Sequence, residues 1–127
     1  MLNKIFKSGL IGVFSLVMIV TFTSCEKEKQ TIGVIIVKYN NVVVPNATVT
    51  LSPEQSHNPT TGELPDQSLT KTNNTDANGQ AEFTYELEAI LNISVVKVDG
   101  NTTYEGANII RLQQGKSVTK VVEVTVN

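Results

Sequence analysis

Few residues in this chain could carry chemistry. His57 is the only histidine, with Ser56 beside it. A catalytic histidine needs a nucleophile within hydrogen-bond reach and a third group to orient its ring, and a chain neighbour such as Ser56 does not face it in that way. Zinc needs three or four nitrogen, sulfur or carboxylate ligands, and His57 has no second histidine and no nearby cysteine to join it. Asn74-x-Asp76-x-Asn78-Gly79 matches the first half of a calcium loop, but Tyr85 stands where the bidentate glutamate belongs. One carboxylate between two amides suits a turn closed by Asx hydrogen bonds better than a calcium site. Without tryptophan, the residues left to stack on a sugar are Tyr85, Tyr104 and Phe83, and the alternation of its strand assigns Phe83 to the core. No catalytic residue, metal or cofactor is expected, so the chain does not read as an enzyme.

The one cysteine, Cys25, sits in a different context. Lys4 and Lys7 precede an apolar run from Gly9 to Phe22, then come Thr23, Ser24 and Cys25, followed abruptly by Glu26-Lys27-Glu28-Lys29. A positive stretch, an apolar stretch and small residues before a cut is the layout of a secretory signal. As a membrane helix the run would rise only about 21 Å, against a hydrocarbon core of about 30 Å. Thr23-Ser24-Cys25 resembles the lipobox of bacterial lipoproteins, although Phe22 stands where an aliphatic residue is usual. The resemblance implies cleavage before Cys25 and acylation of its sulfur, each buried methylene contributing about 0.8 kcal/mol to membrane anchoring. Residues 1–24 are then a signal peptide and residues 25–30 a lipidated cysteine with a charged tether. Glu26 and Glu28 resemble the acidic export signal of Bacteroidetes-type lipoproteins, which implies an outer-membrane location on the periplasmic or the surface face.

Removing Met1–Ser24 leaves 103 of the 127 residues, enough for one domain. It also takes the formal charge from −2 to −4, which offers no basic field for nucleic acid.

From Thr31 the dominant period is two, with β-branched residues throughout. Thr31–Tyr39 is apolar on both faces, which predicts a central strand. Asn40-Asn41 and Asp99-Gly100 predict hairpin turns, and Val42–Val44, Ala47–Leu51, Gln80–Leu87, Ile90–Val98 and Ser117–Val126 predict strands. Leu91, Ile93, Val95 and Lys97 share one face of their strand. On the last strand Val118, Val122, Val124 and Val126 share a side. Thr102–Glu105 and Ala107–Leu112 read as strands interrupted by a bulge at Gly106. The stretch from Ser52 to Thr70 holds three of the four prolines and reads as one long loop. About seven short strands and no helix-period segment predict an all-β, single Greek-key β-sandwich over residues 31–127.

Val44-Pro45-Asn46-Ala47-Thr48-Val49-Thr50-Leu51 followed by Thr75-Asp76-Ala77-Asn78-Gly79-Gln80-Ala81-Glu82-Phe83 resembles the carboxypeptidase regulatory-like (transthyretin-like, prealbumin-like) β-sandwich family, with Asn46 replacing the family's usual glycine. The resemblance extends over roughly Thr31–Asn127 and implies an accessory, spacer or binding module. The hydroxyisourate hydrolases of that fold use several histidines and a C-terminal tyrosine motif. This chain has one histidine and ends Val124-Thr125-Val126-Asn127, so that activity is not expected.

The expected function is therefore a non-catalytic, membrane-anchored lipoprotein of the cell envelope whose sandwich binds a protein partner or spaces other components. Loops on a rigid scaffold are where such contacts are built, which makes Ser56, His57, Asn58, Thr60, Glu63 and Asp66 the candidate contact loop. The alternative is a carbohydrate-binding accessory domain of a polysaccharide-uptake system.

Overall fold

A computed structural model describes residues 28–54, 60 and 66–127. The signal segment 1–24, Cys25 and the first tether residues lie outside the described residues, as do Ser56, His57, Asn58 and Glu63.

Two sheets pack face to face into the expected all-β sandwich. The first is centred on β1 (Thr31–Tyr39), which pairs antiparallel with β2 (Val42–Val43) and β5 (Gln80–Tyr85) on one side and parallel with β8 (Ser117–Glu123) on the other. The second runs in the order β4 (Lys71–Asn74), β3 (Thr48–Pro53), β6 (Ile90–Asp99), β7 (Thr102–Arg111), β9 (Thr125–Val126). The chain crosses from the second sheet to the first between β4 and β5 and returns before β6, the interleaving of a Greek key. Seven of the nine described strands have four residues or more; β2 and β9 have two each.

The pleat sorts the sequence. Ile35 and Val37 of β1, Val49 and Leu51 of β3, Ala81, Phe83 and Tyr85 of β5, Leu91, Ile93 and Val95 of β6, Ile110 and Val122 all face the gap between the sheets and are buried. Ile32, Val34 and Ile36, on the other face of β1, are half-buried, as expected for the central strand of its sheet. The Asn40-Asn41 turn closes β1–β2 with φ of 48° and 64°, the pair of positive values that a type I′ turn requires. Asn46 has φ 54°, a left-handed conformation that asparagine tolerates and glycine adopts freely.

The structure corrects the sequence reading in four places. The long loop begins later than Ser52, since Ser52 and a buried Pro53 complete β3. Its far end runs into β4, a strand that Lys71-Thr72-Asn73-Asn74 did not signal because all four residues are exposed at a sheet edge. Gly106 is no bulge. The β6–β7 register is unbroken from Ile90↔Arg111 to Asp99↔Thr102, and a Cβ on Gly106 would stand 2.9 Å from the Glu123 carbonyl and from Val124 Cγ1. The glycine makes room for the last strand to change sheets. That change occurs at buried Val124, whose N–H donates to the Lys38 carbonyl, and it leaves Val126 46% exposed instead of in line with Val122.

Side chains close both seams between the sheets. Lys71 Nζ donates to the Thr84 carbonyl and Asn73 Nδ2 to the Glu82 carbonyl at 3.2 Å, two alternate residues of β4 meeting two alternate residues of β5. On the opposite side Asn108 Nδ2 donates to the Val121 carbonyl at 3.1 Å. Edge strands otherwise present free backbone groups to other chains.

Candidate functional site

The sandwich has two unlike ends. At one, the chain arrives through Glu28–Gln30 and Lys29 runs beside the Gly115 turn, where an added Cβ would stand 3.6 Å from the Lys29 Cβ and carbonyl oxygen. The ends of the long loop lie here too, because Pro53 pairs with Leu91 and Lys71 with Leu51. At the other end, about 26 Å away along the eight steps of β1, the two sheets part around a cleft of about 190 Å³ lined by Tyr39, Val42, Val43, Val44, Pro45, Lys97, Asp99 and Tyr104.

The cleft follows from the strand alternation. Tyr39 is the last inward residue of the series Gly33, Ile35, Val37, and Lys97 and Asp99 continue Leu91, Ile93, Val95. Tyr104 lies opposite Lys97 in the β6–β7 register. The aliphatic core thus ends in a half-buried pair of rings, Tyr39 and Tyr104, with centroids 5.1 Å apart and planes at 73°, an edge-to-face arrangement favoured by the ring quadrupoles. Beyond them, Lys97 Nζ donates to the Pro45 carbonyl at 2.7 Å. It forms no ion pair with Asp99, and neither tyrosine hydroxyl has a hydrogen-bond partner among the described residues.

One wall of the cleft is held by Thr75, which is buried. Its Oγ1 donates to the Val44 carbonyl at 2.7 Å and accepts from the Ala47 N–H at 2.9 Å. Its backbone N–H donates to the Ala47 carbonyl, and its own carbonyl accepts from the Asn46 N–H. The next residue closes the β4–β5 turn, where Asp76 Oδ1 accepts from the N–H groups of Asn78 and Gln80 at 2.9 and 3.0 Å. The Asn74-Asp76-Asn78 motif is thus an Asx-stabilised turn, its one carboxylate occupied by backbone donors.

Of the expected contact loop, Thr60 and Asp66 are described and both are exposed. Asp66 caps the 3₁₀ turn Gln67–Leu69, its Oδ1 accepting from the Ser68 N–H at 2.9 Å, and these hydrogen bonds with Ser68 hold its carboxyl below the ordinary 3.8. Of the three stacking candidates, Tyr104 lines the distal cleft, while Tyr85 borders a separate cleft at the tether end with Lys29, Gln30 and Gln114. Phe83 is in the core, and Tyr85 is only 5% exposed, its hydroxyl donating to the Leu69 carbonyl at 3.0 Å and Lys71 Nζ lying 4.5 Å from its ring centroid. Burial pushes the Tyr85 hydroxyl up to about 12. Sequence reasoning missed Tyr39. The signal was present, since an aromatic with a polar tip closes the inward series of β1 where the core meets solvent.

Among the described residues no helix is long and apolar enough to cross a membrane, and no three His, Cys, Asp or Glu side chains come together as a metal site. No family model matches the chain, and no curated protein matches it.

Proposed function

We propose that this chain is a non-catalytic lipoprotein of the cell envelope, acylated at Cys25, whose β-sandwich acts as a binding or spacer module. The observation that carries this reading is the opposition of the two ends. Lys29 is four chain steps from Cys25, a reach of at most about 14 Å, so an acylated Cys25 would hold the Gly115 end close to the lipid headgroups. The cleft end would then face away from the bilayer, presenting Tyr39, Tyr104, Lys97 and Asp99. The carboxypeptidase regulatory-like resemblance supports the same accessory role.

This geometry bears on the long loop. Its ends, Pro53 and Lys71, belong to the tether end, so the contact loop of Ser56, His57, Asn58, Thr60, Glu63 and Asp66 would leave and rejoin the sandwich on the membrane side. The carbohydrate-binding alternative is favoured by one observation, the tyrosine-lined cleft at the distal end.

The test is a Cys25→Ser variant followed through cell fractionation, with protease shaving of intact cells expressing the native chain. The native chain is expected to sediment with membranes and to incorporate labelled palmitate, and the variant to do neither. A variant that still partitions with lipid, or a native chain that takes up no palmitate, would overturn the proposal. Cleavage by protease added to intact cells assigns the surface face; protection assigns the periplasmic one.

A further inference from the structure

We propose that the distal cleft is a binding site for a single uncharged sugar ring of a glycan. The proposal rests on the reading of the sandwich as a binding module and is independent of the anchor.

Size comes first. Sites for drug-sized ligands occupy about 300–1,000 Å³, and this cleft, at about 190 Å³, has the scale of one six-membered ring with its hydroxyls. The second consideration is the surface offered. Tyr39 and Tyr104 present aromatic carbon whose electron-rich faces attract the weakly positive C–H bonds of a pyranose. Val42–Val44 and Pro45 add an apolar rim.

The third is the polar complement. A sugar hydroxyl both donates and accepts. Asp99 only accepts, Lys97 only donates, and each tyrosine hydroxyl does both. One of the three Lys97 donors is committed, to the Pro45 carbonyl, while Asp99 and both phenols have no partner among the described residues. One cation and one anion at the same mouth select against net charge in the ligand, since an anion would meet Asp99 and a cation Lys97. A neutral polyol engages both.

An extended peptide fits less well. Strand addition requires a ladder, and β2, the strand at the cleft, has two residues. The walls are also preorganised, one by the hydrogen bonds of Thr75 and one by the Asn40-Asn41 turn, which reduces the ordering cost of binding.

The experiment uses the full chain in mild detergent with ring-labelled tyrosine, which gives three reporters, two in the cleft and one, Tyr85, outside it. The probes are methyl pyranosides of glucose, galactose, mannose and N-acetylglucosamine and their linear oligomers. Saturable shifts of Tyr39 and Tyr104 with Tyr85 unmoved are expected, and Asp99→Asn and Lys97→Met should each weaken the response about tenfold. Asp99 is exposed at the open mouth, so its variant tests the site without disturbing the core, as Tyr104→Leu would; Lys97→Met also removes the bond to the Pro45 carbonyl, so the Asp99 variant is the decisive one. Absence of cleft shifts across the panel would overturn the proposal, as would unchanged affinity in the Asp99 variant, or cleft shifts produced by a proline-rich peptide run as a control and by none of the sugars. A Cys25→Ser chain should respond like the native one, so loss of the anchor and failure of the cleft are separate results.

Discussion

The hydroxyl of Thr75 donates to the Val44 carbonyl at 2.7 Å, tying the residue that follows β4 to a loop thirty-one positions earlier in the chain. With the bond it accepts from the Ala47 N–H, it fixes the Val44–Ala47 wall of the distal cleft. Thr75→Val keeps the shape but leaves two backbone groups without their partner, so a loss of about 2 kcal/mol is expected, on the order of 10 °C in Tm. Thr75→Ser should retain most of the stability. Thermal unfolding followed by circular dichroism checks both, and an unchanged Tm for the valine variant would contradict the role given to Thr75.

Gly106 admits the sheet-changing segment around Val124. In Gly106→Ala the new methyl meets the Glu123 carbonyl at 2.9 Å, a backbone atom that moves only if β8 and β9 move. The expected loss is about 1–3 kcal/mol. Gly33→Ala is the comparison, because its nearest neighbour is the terminal Cδ2 of Leu112 at 2.9 Å, which rotates more cheaply. Chemical denaturation should rank Gly106→Ala as the more damaging; the reverse order would refute the close-approach explanation.

The pH dependence has a definite sign at Tyr85. Its hydroxyl titrates at about 12 in the folded chain against an ordinary 10.0, so the folded state holds that proton more tightly than the unfolded chain does. Its contribution is complete below pH 10 and is lost as pH rises from about 10 to about 12. One of the three tyrosines should therefore ionise late in an ultraviolet titration, together with a fall in stability. Tyr85→Phe should remove the late step, and a late step that survived would assign it elsewhere.

Asn108 reaches across the β7–β8 seam to the Val121 carbonyl. Asn108→Leu should cost about 0.5–1.5 kcal/mol and leave the β8 edge open to pairing with other chains. Denaturation and light scattering at rising concentration check it, with faster association of the variant expected and unchanged association contradicting the capping role.

Much of this architecture was legible in the sequence because period-two alternation is a local property. Thr31–Tyr39 declared a central strand, and Asn40-Asn41 declared its turn. Relations set by tertiary contact were not legible. Lys71–Asn74 carries no apolar alternation, since its value lies in donors that reach β5. Gly106 gives the same local signal whether it kinks a strand or yields to a neighbour. The cleft was half visible. Tyr104 stood out as an aromatic on a polar strand, whereas Tyr39 became part of a site only when the strand ends met across the sandwich. The partial exposure of Lys97 and the lack of a partner for the Asp99 carboxylate among the described residues likewise depend on where the two sheets part.

The most direct measurement of the central claim is the intact mass of the protein extracted from membranes of cells that express the full chain. The account predicts a polypeptide of residues 25–127 carrying an acylated diacylglyceryl cysteine at its N-terminus. A mass corresponding to an unprocessed chain, or to a chain beginning near residue 25 with a free thiol, would contradict it.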